Sequence, residues 1–142
     1  MNIPLEQRTA AFETLRAVKT EFAARGWFPG TSGNLSVRVG EAGGEDGLVF
    51  AITSSGKDKS VNTPEDFLLV DANGKPAEPT RLKPSAETLI HCEIYKAVGC
   101  GAVFHVHTVF NNIISEYDWS LGHVPIEGVE LIKAFNIWEE NA

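Results

Sequence analysis

Apolar residues recur along this chain with two distinct periods, and the switches between them mark out its elements. From Pro4 to Arg25 they return every three or four positions, at Phe12, Leu15, Val18 and Phe22, the spacing of an amphipathic helix that covers a core with one side. Pro4 suits the first turn of that helix and Gly26 its end. The period then falls to two. Leu35, Val37 and Val39 alternate with Ser36 and Arg38, which predicts a strand with its apolar side inward and the two polar residues outward. Glu41 to Gly47 reads as a flexible hairpin connection and Leu48 to Thr53 as a second, antiparallel strand. Thr63 to Asp66 is a turn and Phe67 to Val70 a third strand; Asp71-Ala72-Asn73-Gly74 is a tight reversal, because Asn-Gly favours the left-handed backbone of a hairpin.

Helical spacing returns after Lys83-Pro84-Ser85. The predicted helix carries Ala86, Leu89, Ile90, Ile94 and Val98 on its apolar side, with Ser85 as N-cap and Gly99 to Gly101 at its end. It feeds a short apolar strand, Ala102-Val103-Phe104-His105-Val106-His107. Thr108 to Glu116 predicts a helix with Val109, Ile113 and Ile114 inward, Tyr117 to Pro125 a loop, and Glu130 to Trp138 a last helix with Leu131, Phe135 and Trp138 inward. Strands and helices mix without strict βαβ alternation. The expected fold class is therefore α/β, a largely antiparallel central sheet flanked by helices on both faces, in one domain over residues 1–142.

Composition narrows the function. A chain of 142 residues, 43% hydrophobic and 22% charged, is long enough to bury one core and too apolar for disorder. Its net charge of −7, without a long basic run, argues against nucleic acid as a partner. An anionic small molecule would need local donors. The two cysteines, Cys92 and Cys100, are poorly spaced for a disulfide and fit a reducing cytoplasm as buried thiols. No apolar run approaches a membrane span and no leader pattern opens the chain, which predicts a soluble, cytoplasmic protein with no membrane partner.

Local donors are available in the polar loops at strand ends. Gly33-Asn34, Ser55-Gly56 and the helix start at Ser85 each offer backbone amides or a helix dipole to an anion, and Lys57, Lys59 and Lys83 lie beside them. If they converge, they make a phosphate pocket. His105 and His107 stand one residue apart on a strand and so project from the same face, while Val106 turns into the core. Such a pair is two-thirds of a catalytic metal site, which normally takes three protein ligands and leaves one position open. The alternative is that both rings merely hydrogen-bond to loops. Imidazole ligands alone leave zinc, iron, nickel and copper open. Glu87, in the first helical turn, either complements the dipole or serves as a base or auxiliary ligand beside the metal. His91, one turn later, is a third-ligand candidate or a hydrogen-bonded core or surface histidine. Glu130 is by itself only an acidic residue at the start of the last helix.

Four ordered motifs then carry a resemblance. Gly33-Asn34-Leu35-Ser36-Val37-Arg38, Ile52-Thr53-Ser54-Ser55-Gly56-Lys57-Asp58-Lys59, Lys83-Pro84-Ser85-Ala86-Glu87-Thr88 and His105-Val106-His107-Thr108 together resemble the class II aldolase/adducin family, and the likeness runs from Trp27 to Ala142. The Ser-Gly-Lys-Asp-Lys loop, the Lys-Pro-Ser-Ala-Glu-Thr helix start and Ile137-Trp138-Glu139-Glu140 are closest to its dehydratase branch, which removes water from a methylthio-substituted ketose phosphate in methionine salvage. Ala86 stands where the aldolases have a second phosphate-binding serine, which favours that branch.

The resemblance implies a zinc-dependent lyase acting on a phosphorylated ketose, with one Zn2+ per subunit. It matches His105 and His107 to the metal histidines, Asn34, Ser55, Gly56 and Ser85 to the phosphate-binding positions, Glu87 to the aldolase base, and Glu130 to the glutamate given the acid–base work in the dehydratases. It also implies a homo-oligomer, commonly a tetramer. Family members continue beyond the equivalent of Ala142 with further strands and a third metal histidine in an Asn-His-Gly motif, so the chain is expected to be a partial domain. An aldolase that cleaves a carbon–carbon bond and a non-enzymatic, adducin-like interaction domain are the rival readings.

Overall fold

The computed structural model describes residues 3–39 and 47–126. The expected connection at 41–46, the last helix at 130–138 and the candidate Glu130 lie outside the described residues. The chain divides into two compact units, Met1–His107 and Thr108–Ala142.

The first unit opens with α1 (Leu5–Ala24), whose first residue follows Pro4 at the N-cap position. It continues through β1 (Asn34–Val39), β2 (Val49–Thr53), β3 (Phe67–Asp71), α2 (Thr88–Val98) and β4 (Ala102–His105). The sheet order is β3-β2-β1-β4, and every neighbouring pair is antiparallel. The Asp71–Gly74 reversal forms as expected, with the Gly74 N–H donating to Asp71 O at 2.9 Å and Gly74 at φ 73°.

Alternation along the strands feeds two cores, one on each face. On the first, Leu35, Val39, Val49, Ala51, Phe67 and Leu69 pack with Ala11 and Leu15 of α1, and Phe12, Val18, Phe22 and Val106 close the margin. On the second, Phe50, Ile52, Leu68 and Val70 pack with Cys92 and Tyr95 of α2, with Val103 beside them. Both cysteines are free; Cys92 is buried and Cys100 half-buried.

Covering both faces corrects two expectations. Ser36 does not face solvent; it is fully buried under α2. α2 itself lies turned from the expected orientation. It buries Thr88, His91, Cys92 and Tyr95, whereas Leu89, Ile90 and Val98 are 62%, 57% and 72% exposed. Helical period identifies an apolar side but not what covers it, and here the polar groups of His91 and Tyr95 find buried partners on β1.

One buried ion pair also went unread in the sequence. Lys19, on the inner side of α1, donates to Asp66 at 2.6 Å and to Val61 O at 2.7 Å, with Lys19 and Asp66 each 2% exposed. Asp66 is further held by the Thr63 N–H and hydroxyl, at 3.0 and 2.7 Å.

In the second unit, α3 (Val109–Tyr117) begins at Thr108, whose side chain accepts from the Asn111 N–H at 3.1 Å. Val109, Ile113 and Ile114 were expected inward, yet no residue of α3 is buried. A short 3-10 turn, Trp119–Leu121, breaks the expected loop. Among the described residues no helix is long and apolar enough to cross a membrane.

Candidate active site

Three loops meet at one end of the sheet. The Ser54–Gly56 and Lys83–Ser85 segments are joined directly, since the Ser55 N–H donates to Lys83 O at 2.8 Å and the Ser85 N–H to Thr53 O at 3.2 Å. Lys59 ties in the third loop, donating to Thr31 O at 2.7 Å. Gly33 allows the close approach that follows. At φ 73°, a Cβ there would lie 2.7 Å from Phe28 Cδ1 and 2.8 Å from His105 O, so no other residue fits without moving the histidine strand.

The loops enclose a cavity of about 320 Å³ lined by Gly33, Asn34, Ser55, Gly56, Ser85, Glu87 and His107 among others. These residues, all singled out from the sequence, therefore share one pocket. The means of holding an anion differ from expectation in three ways. The Ser55 and Ser85 amides are spent on joining the loops, so the hydroxyls must serve instead. Ser85 is not the N-cap of α2, because Glu87 holds that position and the helix begins at Thr88. Lys57 does not line the cavity; it pairs with Glu65 at 2.5 Å, and Glu65 is well exposed.

Lys59 takes its place. It is 5% exposed, lines the cavity and lies over the Phe28 ring at 5.8 Å from the centroid. Burial, and then the nearby Lys19 charge, pull its ammonium below the usual lysine range. Ser32 and Ser54 also line the cavity, and their hydroxyls are buried without a hydrogen-bond partner among the described residues. Buried hydroxyls left unpaired are uncommon in folded proteins, and here two belong to residues that line one cavity.

Glu87 and His107 line the cavity, and His105 meets Glu87 beside it. The Asn34–His105 pairing of β1 with β4 sets His105 on the α2 side of the sheet. β4 ends at His105, and the His107 N–H donates to Trp27 O at 3.0 Å, yet the two rings still lie side by side, 4.8 Å between centroids. His105 Nδ1 lies 2.9 Å from Glu87 Oε2, and Asn34 Nδ2 donates to the same oxygen. Glu87 Oε1 has no protein donor among the described residues. Burial raises the Glu87 carboxyl, but the Asn34 hydrogen bond and the neighbouring His105 outweigh it, and the net shift is downward.

The donor set fits part of a metal site. A carboxylate on one imidazole nitrogen orients a metal-binding histidine and leaves its other nitrogen for the ion, and His105 with Glu87 has that form. Among the described residues, no group of three or more His, Cys, Asp or Glu is assembled to hold a metal. His91, the third-ligand candidate, is instead a buried core histidine bonded to Asn34 and Ser36.

The Class II Aldolase and Adducin N-terminal domain matches residues 13–138. Methylthioribulose-1-phosphate dehydratase of Geobacillus kaustophilus is 59% identical over 131 residues, 92% of this chain and 60% of that protein. The enzyme of the same name from Persephonella marina is 50% identical over 96% of this chain and 62% of its own length. This chain thus spans about 60% of the length of such relatives. Among solved structures, L-fuculose-1-phosphate aldolase of Thermus thermophilus superposes with a TM-score of 0.62 at 28% identity, over 90% of this chain and 59% of that one. The L-fuculose 1-phosphate aldolase of Glaciozyma antarctica, 24% identical with a TM-score of 0.72 over 99% of this chain and 57% of that one, shares the fold.

Proposed function

Because the chain belongs to the class II aldolase and adducin family, we propose that it supplies the phosphate pocket and two metal-binding histidines of a zinc-dependent dehydratase acting on 5-methylthioribulose 1-phosphate in methionine salvage. The convergence of three polar loops with His107 and Glu87 around one cavity, and of His105 on that same Glu87, carries the reading. The relatives' names and the motif at Lys83–Thr88 direct it to dehydration rather than carbon–carbon cleavage.

In this reading the Lys59 ammonium and the hydroxyls of Ser55 and Ser85 seat the phosphate, while the Asn34 amide, at the same cavity, is engaged by Glu87 and His91. That anchors the ketose with its carbonyl toward His105 and His107. A zinc ion held by those two imidazoles, together with a ligand from outside the described residues, would polarise the carbonyl and make the neighbouring carbon acidic. Glu87 keeps His105 oriented through Oε2 and has Oε1 free to handle a proton. By resemblance, Glu130 does the acid–base work. A carboxylate takes the proton from the carbon beside the carbonyl, the hydroxyl on the next carbon accepts a proton and leaves as water, and the enol that remains becomes a diketone. The same resemblance extends the proposal to a single class II aldolase-like domain in a cytoplasmic homotetramer.

The test is an assay of the zinc-loaded full chain with 5-methylthioribulose 1-phosphate, against fuculose and rhamnulose 1-phosphates. Formation of the diketo phosphate from the first and no cleavage of the other two is expected. Aldol cleavage products, or an inert protein that holds no metal, overturn the assignment. His105→Ala should lose metal and turnover together, whereas Glu130→Gln should keep the metal and lose turnover.

A further inference from the structure

Glu87, His91 and Tyr95 recur every four residues along the start and body of α2, while Asn34 and Ser36 recur every two along β1. A helix advances about 6 Å in four residues and a strand about 6.6 Å in two, so the two rows run in step and their side chains interleave. The result is an unbroken chain of contacts. Tyr95 OH lies 2.8 Å from Ser36 Oγ, Ser36 Oγ lies 2.7 Å from His91 Nδ1, His91 Nε2 meets Asn34 Oδ1, and Asn34 Nδ2 meets Glu87 Oε2. Ser36, His91, Tyr95 and Asn34 are all at most 2% exposed.

Its direction follows from one end. The ionised Glu87 carboxylate only accepts, so the Asn34 NH2 group faces it and the Asn34 carbonyl oxygen points to His91. That oxygen needs a donor, which puts the imidazole proton of His91 on Nε2. Burial keeps the ring neutral, so Nδ1 is bare and accepts from the Ser36 hydroxyl. Ser36 in turn accepts from Tyr95. Every donor points toward Glu87.

We infer that His91, Ser36 and Tyr95 are positioning residues that lock the Asn34 carboxamide with its NH2 toward Glu87, so that Glu87 Oε2 stays engaged and Oε1 is left for the substrate. Without the His91 donor, the carboxamide is free to turn over and set its carbonyl oxygen against the carboxylate, which repels it. This rests on the proposed function only in orienting His105 through Glu87 Oε2 and giving Glu87 Oε1 a substrate proton to handle.

Two measurements on the full chain test it. Nitrogen NMR of the His91 imidazole at about pH 7 is expected to show the Nε2–H tautomer; the Nδ1–H tautomer or the imidazolium overturns the chain, whatever the activity. In the zinc-loaded enzyme, Tyr95→Phe and His91→Leu should lower kcat by about ten- to a hundredfold, with KM and metal content within about twofold. His91→Gln, which keeps a donor for Asn34 and an acceptor for Ser36, should restore most of that loss. Equal losses in the leucine and glutamine variants, or an unchanged kcat in Tyr95→Phe, reduce the chain to core packing and overturn the inference. A wild-type enzyme that does not dehydrate the ketose phosphate refutes the functional reading instead, and the tautomer then decides the positioning chain by itself.

Discussion

Lys57 and Lys59 stand two positions apart, and the step decides which ammonium an anion in the cavity meets. Lys59 is held by Thr31 O inside the cavity wall, where the surroundings weaken competition from water. Lys57 is engaged by Glu65 in solvent, where an ion pair contributes little. Removing a charged donor to a buried phosphate costs about 1.5–3 kcal/mol, roughly ten- to a hundredfold in affinity. Lys59→Met should therefore raise KM for the phosphorylated ketose by about that factor, while Lys57→Met stays within about twofold. Steady-state kinetics of the two variants checks this, and the reverse order would place the phosphate elsewhere. Both lysines are visible in the sequence beside Ser55-Gly56. Their division of labour is not, since it depends on Thr31, 28 residues before Lys59.

At the scale of elements, α1 is fastened to the segment before β3 through a charge in an otherwise apolar side. Asp66 balances the Lys19 ammonium, and burial, which alone would raise the Asp66 carboxyl, is outweighed by the bonds from Lys19 and Thr63. Asp66→Ala leaves that ammonium buried and unpaired, which costs about 3–5 kcal/mol. Urea unfolding of the full chain should show the loss as a lower midpoint; Lys19→Met with Asp66→Leu together should recover much of it. A helical period read from Phe12, Leu15, Val18 and Phe22 finds α1 without finding this pair, because Lys19 lies on the same inward side but carries the polarity of a surface residue. α2 misled in the opposite sense. Its apolar Leu89, Ile90 and Val98 are exposed, and its polar His91 is covered.

Across the whole molecule, the buried imidazole couples folding to pH. His91 is pushed down to about 4 by burial, and next by its neighbour His105, from an ordinary 6.5. Between those values the unfolded chain binds the proton that the folded chain refuses, so stability falls as the pH drops through the window, by roughly 3 kcal/mol in all, and is flat above it. Asp66 and Glu87, both held below their usual ranges, add their losses only from about pH 4.5 downward. Denaturant titrations at several pH values should show the slope, and His91→Gln should flatten it between about pH 4 and 6.5. An unchanged slope in that variant assigns the titration to another group.

The sequence by itself determined the kind and order of the described α-helices and strands, the antiparallel pairing through its turns, the common side of His105 and His107, and the ordered motifs that place the chain in its family. Each of these is written within a few neighbouring residues, where strand and helix periods fix directions relative to the local backbone. Tertiary structure alone decided which side of α2 meets the sheet, which lysine enters the cavity, and how Asn34 is held. Those outcomes depend on partners far along the chain: Asn34 and Glu87 are 53 residues apart, Ser36 and Tyr95 59. A buried polar group is tolerated only where such a distant partner arrives to satisfy it, and no local pattern records that arrival.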